Sequence, residues 1–157
     1  MGEPVTICIT RLRPLTDPLP LPAYQTADAA GMDLRAAIPA GQAWVLAPGE
    51  RRLVPTGLTV AIPPGYEGQV RPRSGLAYRQ GVTVLNAPGT IDADYRGEVQ
   101  VLLINHHTAP FRLERGDRIA QLLLGPAPEW DWQEAATLEA LGGTRRGEGG
   151  YGSTGSR

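Results

Sequence analysis

Five short stretches of this chain are dense in the residue types that do chemistry on an anionic ligand. They are Ala30–Ala36 (Ala-Gly-Met-Asp-Leu-Arg-Ala), Arg71–Ala77, Asn86–Glu98, Arg115–Gln121 and the tail from Arg146 to Gly155. In the second, Arg73, Ser74 and the Gly75 amide stand at the start of a short helical turn. A planar guanidinium, a hydroxyl and a free amide in that position form a phosphate cradle. In the third, Asp92 is a turn carboxylate. Such a group either caps the turn or, within hydrogen-bond reach of a water, acts as a general base. Asp94, two residues on, has no such partner pattern and is solvated or structural. Taken singly these signals are weak, since an Arg-Ser-Gly can be only a turn and a glycine-rich tail only a linker.

All fifteen basic residues are arginine, which excludes a lysine P-loop, a Schiff base and a lysine general base. Whether genomic base composition or ligand chemistry underlies the bias, the exclusions hold. Cys8 is the one cysteine, so neither an internal disulfide nor a two-cysteine metal site exists. Its setting, Val5–Ile9, predicts a strand with a buried thiol. His106 and His107 are adjacent and on a strand point to opposite faces, which argues against a joint metal or catalytic role.

The elements that must position these residues are short. Twenty glycines and fifteen prolines fall at close intervals along the 157 residues, the punctuation of many strands joined by tight turns. A first strand is expected within residues 4–11, and the Pro-rich stretch 13–22 reads as an extended connection. Apolar runs predict strands near Ala43–Leu46, Arg52–Pro55, Leu58–Ile62, Gly68–Arg71, Val82–Leu85, Glu98–Ile104, Phe111–Leu113 and Ile119–Leu124. Leu76–Gln80 fits one helical turn. Glu129–Leu141 is the other helical candidate, with Trp130, Ala135, Leu138 and Leu141 as a broken apolar face. The expectation is one all-β domain over 1–141, followed by a flexible glycine-rich tail, 142–157, that cannot pack a core. The net charge of −1 excludes a global field that would draw the chain to nucleic acid. No apolar run reaches the length of a signal peptide or membrane span, so the expected location is cytoplasmic with no membrane partner. The start Met1–Thr6 matches a short myristoylation pattern that nothing else in the chain supports.

In order and spacing, the five stretches resemble the five signature motifs of the trimeric dUTPase family, over about residues 30–155. The resemblance implies a jelly-roll-like β-barrel and a homotrimer whose active sites draw on all three subunits. It implies hydrolysis of dUTP to dUMP and pyrophosphate, which keeps uracil out of DNA and supplies dUMP for thymidylate synthesis. Asp92 then corresponds to the base that activates the attacking water. Asn86 with the turn 87–91, including Thr90 and Ile91, corresponds to a uracil-binding hairpin. Pairing of that turn with the following strand would bring Gln100 near. Tyr95 corresponds to the ring that packs under the deoxyribose and excludes a 2′-hydroxyl. Arg73, Ser74, Gly75 and Gln121 correspond to phosphate contacts, while Arg71 is either a further contact or structural.

The tail corresponds to a lid in which Arg146 reaches the γ-phosphate, Tyr151 stacks on uracil, and Gly152, Ser153 and Thr154 assist. The family's Mg²⁺ is implied without direct protein ligands, held by substrate phosphates and water. Asp33 either touches that water shell or braces an arginine; Asp117 and Arg118 read as structural. Residues 130–141, with two tryptophans, are a candidate interface cover. Two alternatives stand beside this reading. One is a catalytically inactive nucleotide-sensing module of the same fold. The other is dCTP deaminase, which is similar but places a glutamate where this chain has Leu102.

Overall fold

The computed structural model describes residues 4–12 and 18–150 of the chain. The first half contributes β1 (Cys8–Arg11), β2 (Met32–Arg35), β3 (Ala43–Leu46), β4 (Arg51–Pro55), β5 (Leu58–Ala61) and β6 (Tyr66–Arg71). Then follow α1 (Ser74–Gln80), β7 (Val82–Val84), β8 (Gly89–Ile91), β9 (Gln100–Asn105), β10 (Phe111–Glu114) and β11 (Arg118–Pro126). The architecture is therefore all-β with little helix. The strands pair antiparallel in four sheets, ordered β1-β5, β10-β3, β2-β11-β6-β8 and β4-β9-β7. These sheets surround one core without joining into a single closed sheet.

Alternation of side chains builds that core. On β9, Val101 and Leu103 are fully buried while Leu102 and Ile104 are only half-buried, the period of two that a sheet with one covered face requires. Leu34, Ile38, Leu46, Val54, Val82, Leu113 and Ile119 fill the remaining interior. Asn105 is buried among them and fully satisfied. Its Nδ2 donates to the Leu46 and Ala109 carbonyls at 2.9 Å each, and its Oδ1 accepts from the His107 amide at 2.9 Å.

Two local expectations are corrected. The predicted helix over 129–141 does not form. Only Glu139–Leu141 makes a 3₁₀ turn, and Trp130, Leu138 and Leu141 are 68%, 65% and 69% exposed. A helix this short needs its apolar face packed, and no core lies under it. Trp130 instead meets Trp132 edge to face, with centroids 4.5 Å apart. Cys8 is exposed rather than buried, because β1 is an edge strand paired with β5 alone. Of the Pro-rich connection, residues 13–17 lie outside the described residues and 18–22 have no regular structure. Among the described residues no helix is long and apolar enough to cross a membrane.

Candidate functional site

Several of the polar residues singled out in the sequence line one of two clefts, and others stand on the four-stranded sheet or at the start of α1. The central strand of that sheet carries the first positioning device. β11 pairs with β2 through an irregular register, Arg118 opposite Arg35 and Ala120 opposite Leu34, which leaves Ile119 as an extra residue. Such a bulge breaks the alternation. Ile119 and Ala120 both turn into the core, while Arg118 and Gln121 stay at the surface. Beyond the bulge one rung crosses three strands, with Gln121 opposite Asp33 of β2 and Arg71 of β6.

Asp33 is 8% exposed and holds two arginines. Its Oδ1 accepts from Arg73 Nε at 2.9 Å, and its Oδ2 accepts from Arg118 Nη1 at 3.1 Å. Arg73 Nη1 also donates to the Arg118 carbonyl at 3.2 Å. Each carboxylate oxygen thus accepts from one arginine, which is the bracing contact expected as one of the two roles of Asp33. Arg118, expected to be structural, is half of this clamp and also faces a cleft. That cleft, of about 510 Å³, is lined by Arg73, Gly75, Arg79, Arg112 and Arg118, with Asp117 at its rim.

α1 begins on the cleft wall. Arg73 is its N-cap residue and offers no side-chain cap, so the first amides of the turn, Gly75 among them, have no capping side chain among the described residues. Ser74 is exposed at the same end. Gln121 turns back to donate from Nε2 to the Pro72 carbonyl at 3.0 Å, fixing the strand-to-helix corner. Arg71 is bound by Gln69 of its own strand through Nε, at 2.9 Å, and through Nη2. It is thus tied along β6.

The second cleft, of about 230 Å³, brings together Asn86, Thr90, Ile91, Asp92, Tyr95 and Gln100, with Leu53 and Glu98 beside them. The segment that carries Asn86 is not a hairpin, which corrects the expectation. β7 pairs with β9, and β8 crosses to pair with β6, so the turn bridges two sheets. Gln100 arrives through the β4-β9-β7 ladder rather than by pairing with the turn. A cis Ala87–Pro88 peptide lies within the bridge, and the Asn86 amide rests over Gly89, whose absent Cβ would stand 3.1 Å from Nδ2.

After Ile91 the chain turns tightly, with the Tyr95 amide donating to the Asp92 carbonyl at 3.1 Å. Asp92 is exposed, and no described residue hydrogen-bonds its carboxylate. Tyr95 is held differently. Its hydroxyl donates to the Glu98 carbonyl at 3.0 Å, and its ring lies across Gly97 so closely that a Cβ there would overlap the hydroxyl. Glycine is needed at 97 for space, not for backbone angle. Arg96 closes the turn by donating to the Ala93 and Tyr95 carbonyls at 2.7 and 2.8 Å.

The two clefts share no lining residue. Arg146 stands at neither; its Nε donates to the Gly149 carbonyl at 2.6 Å within a local turn. Tyr151, Gly152, Ser153 and Thr154 lie outside the described residues. Among the described residues no cluster of histidine, cysteine, aspartate or glutamate could hold a metal ion by itself. Arg79 was missed in the sequence. Its spacing of four from Gly75, which puts both on one helix face, was the signal available.

Comparison with known proteins converges on one family. A family model described as dUTPase matches residues 17–155. Deoxyuridine 5'-triphosphate nucleotidohydrolase of Methylocella silvestris is 62% identical over 156 residues, 99% of this chain and 95% of that protein. The protein of the same description from Anaeromyxobacter sp. is 59% identical over 152 residues, covering 97% and 99%. Among solved structures, Staphylococcus bacteriophage 80alpha dUTPase with dUPNHPP superposes with a TM-score of 0.81 at 25% identity, over 96% and 98% of the two chains. A mutant dUTPase of phage phi11 of S. aureus, described for the coordination of a structural Mg(II) ion, has a TM-score of 0.73 at 22% identity, covering 86% and 99%.

Proposed function

The chain belongs to the dUTPase family and is a dUTP diphosphatase, and from that premise we propose that Asp92 activates the water that cleaves dUTP. The observation that carries the assignment is the cleft where an unengaged Asp92 carboxylate stands beside a braced Tyr95 ring and Asn86. A water hydrogen-bonded to Asp92 gives up its proton as its oxygen attacks the α-phosphorus in line. The bond to the bridging oxygen breaks, and pyrophosphate leaves from dUMP.

Uracil binds along the Asn86–Ile91 bridge. Its polar edge pairs there with backbone groups and the Asn86 amide, and Gln100 lines the same cleft. A base with the wrong donor pattern leaves those groups unpaired, which is the stronger route to rejection. Tyr95 lies under the deoxyribose and leaves no room for a 2′-hydroxyl. Arg73, Ser74, the Gly75 amide and Gln121 take the phosphates. The tail 142–157 closes as a lid, with Arg146 on the γ-phosphate, Tyr151 stacked on the base, and Gly152, Ser153 and Thr154 assisting.

Base and cradle line separate clefts of one protomer, and this supports a site completed between subunits of a homotrimer, the third motif of one facing the cradle of another. Mg²⁺ would be held by the substrate phosphates and water, a reading consistent with Asp33 bracing two arginines and with no chelating cluster among the described residues. When bound it neutralises phosphate charge. The product serves as a thymidylate precursor, and removal of dUTP keeps uracil out of DNA. The test is pyrophosphate release from dUTP, dCTP, dTTP and UTP, with Mg²⁺ and then with EDTA. Mg²⁺-dependent release from dUTP alone is expected. No release by an intact oligomer would favour a nucleotide-sensing module, and ammonia release from dCTP would favour a deaminase despite Leu102.

A further inference from the structure

We propose that Arg79 is a further phosphate-binding residue, one that makes the enzyme sensitive to the length of the polyphosphate; this rests on the Arg73–Gly75 cradle reading above. Arg79 sits in the last turn of α1, yet its guanidinium is not at that end. It runs back along the helix until Nη2 lies 2.9 Å from where a Cβ of residue 75 would be. Side chains on a helix lean toward its N-terminus, so residues 75 and 79 share one face. With glycine at 75 the guanidinium can settle beside the cradle.

Its charge environment singles it out. The other arginines of the cleft have carboxylate partners: Arg73 and Arg118 share Asp33, and Arg112 pairs with Glu114 at 2.8 Å. Arg79 hydrogen-bonds no described residue, yet it lines the same 510 Å³ cleft as Arg73 and Arg118. A fourth guanidinium turned toward others, without a carboxylate of its own, raises the local potential at a cost in repulsion. A polyanion removes that cost, and a second or third phosphate brings more charge within reach than one does. With Arg73 and Ser74 on the phosphates nearer the nucleoside, Arg79 takes the outer ones. It discriminates dUTP from dUMP and helps retain pyrophosphate until release.

The experiment compares wild type, Arg79→Gln and Arg79→Lys by calorimetry with α,β-imido-dUTP and with dUMP, and by inhibition with inorganic pyrophosphate. Loss of one charge-assisted contact should weaken imido-dUTP and pyrophosphate roughly tenfold or more in Arg79→Gln, with dUMP changed by less than about twofold. Arg79→Lys should recover part of the loss, because the charge returns without the fork. The slope of log Kd against log salt for imido-dUTP should flatten in Arg79→Gln alone. A wild-type affinity for imido-dUTP in Arg79→Gln, or an equal loss for dUMP, would overturn the role of Arg79 and leave the cradle standing. A wild-type enzyme that binds imido-dUTP no better than dUMP would overturn the cradle as well.

Discussion

Adding one methyl group at Gly97 tests whether the Tyr95 ring acts by its position. A Cβ at residue 97 would stand 2.5 Å from Cζ and 2.9 Å from Cε2 of Tyr95, and would overlap its hydroxyl oxygen. Carbon atoms approach comfortably only to about 3.5 Å, so the ring must retreat by about 1 Å. Tyr95 is 44% exposed and can swing outward, which keeps the damage local. The hydroxyl then loses the Glu98 carbonyl, a loss of about 1 kcal/mol. For a chain of this size that lowers Tm by about 3 °C. Catalysis should suffer far more, because a 1 Å misplacement near the chemistry costs on the order of 100-fold. Steady-state pyrophosphate release by Gly97→Ala should show kcat/KM for dUTP down by about that factor. UTP should fall less, since a displaced ring leaves space for its 2′-hydroxyl, so discrimination narrows. Tyr95→Phe, which keeps the ring and removes only the hydrogen bond, should keep most of the discrimination. Wild-type discrimination in Gly97→Ala would refute the reasoning, because the ring could not then be the group that reads the sugar.

Asp92→Asn should cut turnover by roughly 10²–10⁴-fold while imido-dUTP binding by calorimetry persists, since the base goes and the cradle stays. Unchanged turnover would remove Asp92 from the role. Asp33→Asn leaves two arginines, 26% and 41% exposed at their side chains, sharing a neutral amide. Solvent softens that loss to about 2 kcal/mol, seen as a Tm about 4–8 °C lower, with KM for dUTP raised. Truncation before Arg146 should abolish most turnover at an unchanged Tm, because residues 142–148 are exposed and touch no core. Mixing the inactive variants Asp92→Asn and Arg73→Ala, each refolded together with the other, should restore about a quarter of wild-type activity if base and cradle come from neighbouring subunits of a symmetric trimer. A site contained in one protomer would stay dead in that mixture.

Much of the scaffold was legible because short strands announce themselves by alternation and by the turn residues that end them. Ala43–Leu46 has the predicted bounds, and β9 follows the alternation of Val101, Leu103 and Asn105. Three features were not legible, each for a physical reason. A bulge at Ile119 depends on which rungs of two strands pair, which no single strand encodes. The Asn86 turn looked like a hairpin because both flanks are strands, yet the flanks belong to different sheets. The apolar positions of 129–141 promised a packed helix face, but a pattern says nothing about whether a surface exists to receive it. At the site, residue types were readable from motif spacing, whereas partners were not. That Asp33 binds Arg73 and Arg118 together follows from the register of β2 against β11 and from where α1 starts.

Asp33 and Asp92 show why partners decide function. Both are carboxylates in a chain whose Lys and Arg positions are all arginine. Asp33 is bound twice, one arginine to each oxygen, and so holds Arg73 and Arg118 in place. In the proposed role Asp92 keeps an oxygen free to accept a proton from water. Asp92 stands in a turn beyond β8, in a cleft that none of Arg73, Arg79, Arg112 and Arg118 lines. On the proposed reading Asp92 meets the cradle of a neighbouring subunit, with the triphosphate lying between the carboxylate and the guanidinium groups, and the refolded mixture of Asp92→Asn and Arg73→Ala tests that arrangement.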